Sequence, residues 1–115
     1  MVALRESVSA LQDLIQQNPR LQPVLRDHLE GYGGELIPTL LIAEIVDWMV
    51  DHRSEAGDVV ASVIRWMNHS YPTATDELRN VIATGGVEAM PSPGQPGHEL
   101  RDLLSPELQA TDPWS

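Results

Sequence analysis

Residues 38–52 read PTLLIAEIVDWMVDH, and the arrangement forced on this stretch decides the fold. Pro38 suits the first turn of a helix, where its missing N–H costs nothing. Leu40, Leu41, Ile42, Ile45, Val46, Trp48, Met49 and Val50 then cover most of the circumference. A helix apolar nearly all round must be surrounded by others, so this segment, running to about His52, is the expected central helix. Its exceptions are Glu44, Asp47 and Asp51, spaced i, i+3 and i+7 along one side.

Outward from this segment, helical periodicity continues in both directions. Leu4, Val8, Leu11 and Ile15 form a seam that stops before Asn18-Pro19. A short second helix is expected over residues 22–30, with Leu25 and Leu29 facing inward and Gly31, Gly33 and Gly34 ending it. Asp58 lies at the start of a fourth helix with a seam of Val60, Val63, Ile64, Met67 and Tyr71, closed by Pro72. Thr73 with Asp76 reads as a capping box for a fifth helix carrying Leu78, Val81, Ile82, Gly85 and Ala89 on one face. Gly85-Gly86 either breaks that helix or lets a neighbour approach closely, and the small residues on the seam favour close approach.

The run Pro91 to Gly97 is a loop. Beyond it, His98–Leu104 forms an amphipathic turn and Ser105-Pro106 an N-cap with proline following; Leu100, Leu103, Leu104 and Leu108 are expected to pack back on the body. No run alternates with period two. The sequence therefore predicts a single all-α domain over 1–115: a compact array of about five helices in 1–90, a loop over 91–97, and a helical tail over 98–115.

Composition excludes several functions. Cysteine is absent, which removes disulfides, thiolate metal sites and cysteine nucleophiles. Seventeen acidic residues stand against seven arginines and no lysine, a net charge of −10. The scattered arginines cannot supply the clustered cations that a phosphate backbone or an anionic membrane surface requires. No stretch approaches the roughly 20 apolar residues of a membrane span. The first residues lack a secretory signal, so a reducing cytoplasm is expected. The Asn68-His69-Ser70 glycosylation sequence then has no role.

The acidity is uneven. Asp27, Glu30, Glu35, Glu44, Asp47, Asp51, Glu55 and Asp58 face Arg53 alone, giving −7 within 32 residues. A negative surface on the second and third helices would attract a basic partner, although a merely solubilising surface would read the same way. The stripe of Glu44, Asp47 and Asp51 can bind a hard cation, supply acid and base groups, receive an arginine, or simply be the solvated edge of a buried helix. His28 shares a face with Leu21, Leu25 and Tyr32 and reads first as a packed boundary histidine with one nitrogen hydrogen-bonded. His52 diverges from Asp51 by about 100° and cannot chelate with it. His98 to Asp102 is half of a zinc motif without a third ligand. Trp48 and Trp66 are expected in or beside the core, and Trp114 as an anchor for another chain.

Gly34-Glu35-Leu36-Ile37-Pro38, followed by Leu40-Leu41 and Glu44-Ile45 through Trp48 and preceded by the helix end Leu29-Glu30-Gly31, resembles a family of small uncharacterised bacterial all-helical proteins. The resemblance covers residues 10–105 and implies a helical fold. It carries over no catalytic or binding residue, and an immunity or accessory role enters by analogy. Arginine without lysine, beside abundant alanine and valine, points to a high-GC bacterial genome.

Two functions remain. A protein-interaction module, such as an immunity-type inhibitor binding a basic protein, is favoured over a small carboxylate-based or metal-assisted enzyme built on Glu44, Asp47 and Asp51, because no nucleophile, base and orienter can be placed together. Glu30, Glu35, Glu44, Asp47, Asp51 and Glu55 are the candidate partner-binding residues. No catalytic residue, metal ligand or cofactor is assigned, and no feature argues for a homo-oligomer.

Overall fold

The computed structural model describes residues 2–112, with side chains from Glu6 onward. The expectations placed on Leu4 and Trp114 lie outside those side chains. The chain forms α1 (Val2–Gln17), α2 (Gln22–Gly31), α3 (Pro38–His52), α4 (Gly57–Ser70), α5 (Asp76–Asn80) and α6 (Pro106–Gln109). Single 3-10 turns cover Pro19–Leu21 and Tyr71–Thr73, a π-helix spans Val81–Val87, and a longer 3-10 segment spans His98–Leu103. Strands are absent among the described residues, so the protein is an all-α, single-domain array.

α3 is the central element. Leu41, Ile42, Ile45, Val46 and Met49 are buried, and α1, α2, α4 and the π-helix all pack on it. Pro38 occupies its first turn, while Ile37 before it is extended and its carbonyl accepts from the Leu41 N–H at 2.9 Å. Leu11, Leu14 and Ile15 of α1 and Val63, Ile64 and Met67 of α4 join the same core. At roughly 1.5–3 kcal/mol for each large apolar side chain fully buried, this cluster is the main source of stability. Trp48 and Trp66 pack half-buried at its edge.

Three expectations are corrected. The N-cap of α5 is Thr75, whose hydroxyl accepts from the Leu78 N–H, and Thr73 lies in the preceding 3-10 turn. Arg79 binds the carbonyls of Tyr71 and Pro72, which holds that turn closed and displaces the helix start by two residues. Leu103 points outward, 52% exposed, while Leu100, Leu104 and Leu108 are buried. Finally, the predicted inner face of α2 is led by His28, with Leu25 and Leu29 only partly covered and Tyr32 exposed.

The fifth helical segment does not break at its glycines; it widens. Beyond Asn80 the backbone becomes π-helical, and Glu88 N–H bonds the Ala83 carbonyl five residues back. A Cβ on Gly85 would lie 2.6 Å from Ile42 Cγ2 and 2.7 Å from the Thr39 carbonyl oxygen. One on Gly86 would lie 2.9 Å from Met67 Cε. Close approach is therefore what the glycines permit, and the wide turn lets Val81, Ile82, Gly85, Gly86 and Val87 all face the core.

The tail is fastened by one buried arginine. Arg101 donates from Nε to the Pro91 carbonyl at 2.7 Å, from Nη2 to the Met90 carbonyl at 2.6 Å, and from Nη1 to the Asp112 carboxylate. Its planar fork satisfies three acceptors at once, which lysine could not do in one geometry. Asn68 of α4 donates to the Leu103 carbonyl and accepts from the Ser105 N–H, pinning the next turn.

Candidate functional site

The α2–α3 connection brings His28 under Glu44. Gly33 and Gly34 take positive φ, the region glycine enters without penalty, and turn the chain from α2 back toward α3. His28 is fully buried on this turn, and both ring nitrogens are used. The Ile37 amide can only donate, so at 3.0 Å Nε2 must accept. The ring is thus neutral with its proton on Nδ1, and that proton is given to Glu44 Oε1 at 2.8 Å. Of the two nitrogens the sequence reading partnered only one.

Glu44 is consequently a positioned carboxylate, fixed by a buried donor while its side chain stays 36% exposed. Both residues line a cleft of about 440 Å3 together with Val24, Asp27, Gly31 and Tyr32. The His28 and Tyr32 rings lie 4.7 Å apart, tilted at 43°. Asp27, first of the acidic stretch, and Tyr32, which shares the His28 face, reach the cleft from α2 and from the residue that follows it. The only sequence signal for the pair was a histidine on an apolar face beside an acid on an apolar helix.

Asp47 and Asp51 are exposed on the Glu44 side of α3, and no ion pair engages either among the described residues. Partial desolvation, followed by the charges of Asp51 and Glu44, holds the Asp47 carboxyl above its ordinary range. The three carboxylates therefore feel one another, as their i, i+3, i+7 spacing requires.

The remaining candidates separate from this group. Glu55 is drawn into a local cluster: its carboxylate meets His52 Nδ1 at 3.0 Å and Arg20 at 3.9 Å, Arg20 lies over the Trp48 ring, and Trp48 stacks on His52. Glu30 borders a different cleft with Leu25, Arg26 and Leu29, and Glu35 is exposed in the α2–α3 turn. Asp58 stands in the first turn of α4. Glu99, from the half zinc motif, pairs with Arg53 at 3.2 Å; its own backbone N–H and then Arg53 keep it below the usual range. Among the described residues no three His, Asp or Glu side chains are grouped to hold a metal ion, and no helix is long and apolar enough to cross a membrane. No protein-family model, curated protein or solved structure matches the chain.

Proposed function

We propose that this chain is a protein-interaction module, of immunity or accessory type in a bacterial cytoplasm, that receives a basic protein partner on the surface formed by α2 and α3. One observation carries the reading: Glu44, Asp47 and Asp51 lie along one side of α3 beside the cleft that Glu44 lines, and no ion pair engages Asp47 or Asp51 among the described residues. A row of like charges without cationic partners of its own is relieved when a partner's arginine or lysine arrives. Glu44 adds direction, because the His28 proton fixes one oxygen and leaves the carboxylate to accept a guanidinium from the cleft. The same three carboxylates are not grouped to hold a metal ion among the described residues, which leaves the metal-assisted reading without a formed site.

The test is kinetic. With a partner trapped by cross-linking in the producing cells and then purified, Asp47→Asn and Asp51→Asn should slow association and flatten its salt dependence. Glu44→Gln keeps an acceptor for the His28 proton but loses the charge, and should speed dissociation by the equivalent of about 2 kcal/mol or more. Glu88→Gln and Glu107→Gln are exposed controls on other elements. Equal weakening by the controls would reduce the acidity to a general property of the surface.

A further inference from the structure

The outward stripe of α4 has the symmetry of a dimer contact. Asp58, the adjacent pair Ala61 and Ser62, Arg65 and His69 recur at three- and four-residue spacing along one side of the helix. Its N-terminal end is acidic and its C-terminal end basic. Asp58, Arg65 and His69 are engaged in no hydrogen bond or ion pair among the described residues, although Arg20, Arg53 and Arg101 all have acidic partners in this strongly acidic chain. The stripe itself borders a groove of about 450 Å3 lined by Ala61, Ile64, Arg65, Asn68 and His69 of α4 and by Leu103 opposite them. Leu103 is the most exposed large hydrophobic residue described, yet its backbone is held in place by Asn68. An apolar side chain exposed on a fastened backbone, beside charges without partners among the described residues, fits a surface made for contact.

We infer that the occupant is a second copy of this chain, with α4 packed antiparallel on its counterpart across a two-fold axis. A two-fold contact requires that a patch complement itself, and a stripe acidic at one end and basic at the other does so when reversed. In that register Asp58 of each copy meets His69 of the other, Ser62 faces Arg65 near the axis, and the small Ala61 lets the helices approach. Leu103 of each copy closes the groove over Ile64. The contact is modest in area, so the dimer is a weak one that forms with concentration. The inference is independent of the α2–α3 surface, whose candidate residues it does not use.

Sedimentation velocity, from micromolar to near-millimolar chain and at about 0.15 M salt to screen the net repulsion between two acidic copies, reads it directly. The expected result is a reversible monomer–dimer equilibrium. Leu103→Asp, Asp58→Arg and His69→Glu should each weaken it at least ten-fold, with unchanged helical circular dichroism because all three side chains are exposed. Asp58→Arg combined with His69→Glu exchanges the two ends and should return association to within a few-fold of the original. A chain that stays monomeric at every concentration overturns the inference and leaves the groove to a foreign segment. A dimer insensitive to these changes, or one that the double variant fails to restore, overturns it equally.

Discussion

The Arg101–Asp112 pair in the tail and the His28–Glu44 pair between α2 and α3 both place polar groups in an apolar interior, and they leave those groups in opposite situations. At Arg101 both partners are nearly inaccessible, 6% and 4% exposed, and the remaining donors of the guanidinium go to the carbonyls of Met90 and Pro91. Everything is consumed inside. At Glu44 the histidine is buried but the carboxylate it orients is not. The first arrangement closes a chain end onto the body; the second uses a buried group to aim an exposed one. Burial of one member is common to both pairs; what differs is the accessibility of the last polar atom in the network.

The largest expected effect breaks the first pair. Arg101→Met removes the cation, takes from the buried Asp112 its ion pair with Arg101 and frees the Met90 and Pro91 carbonyls; removing one member of a buried ion pair costs about 3–5 kcal/mol. Thermal unfolding should show a large loss of stability, with the His28–Glu44 arrangement at α2–α3 left unchanged. A melting temperature close to that of the original would mean that the tail is not held by this contact.

A smaller effect sharpens the second pair. His28→Leu fills the volume but leaves the Ile37 N–H without an acceptor, at about 1–3 kcal/mol, and releases Glu44. Glu44→Gln retains the acceptor for Nδ1 and should leave thermal stability nearly untouched. If Glu44→Gln destabilised as much as His28→Leu, the pair would be structural in the manner of Arg101–Asp112, and the contrast would fail.

The smallest effect concerns Asp47. Its carboxyl is raised in the folded chain, so the folded state binds its proton more tightly than the unfolded state does. That contribution favours folding below the ordinary Asp range near 3.8 and is lost as pH rises through the folded value, leaving ionised Asp47 mildly unfavourable at neutral pH. Asp47→Asn should therefore raise the melting temperature slightly at pH 7, with the gain vanishing once pH falls below the ordinary Asp range. A gain that persisted unchanged in acid would assign the effect to something other than the ionisation of Asp47, which burial first and the neighbouring carboxylates second disfavour.

Most of the helices were legible because their signals are local. The apolar circumference of residues 38–52, the proline at 38 and the glycines after 30 each act within one or two turns, and repetition every three or four residues needs no knowledge of the partner. The stripe of Glu44, Asp47 and Asp51 was legible for the same reason, since it lies on one helix. Even the closeness of the helix at Gly85 could be read from residue size. The π-turn that accompanies it could not, because it arises from fitting Gly85 and Gly86 against Ile42 and Thr39.

What tertiary structure decided was every pairing across elements. Thr75 replaced Thr73 as a cap because Arg79 closes the Tyr71–Thr73 turn, and Leu103 turned outward because Asn68, 35 residues earlier, fixes its carbonyl. His28 and Glu44 lie 16 residues apart, and only the turn through Gly33 and Gly34 brings the imidazole proton to the carboxylate. Periodicity specifies which face of a helix is buried; it carries no information about which residue of another helix will lie there, since that depends on crossing angle and loop path. Periodicity was enough to specify a bundle of helices with a carboxylate stripe on its central member, and packing chose Glu44 as the acid held in place.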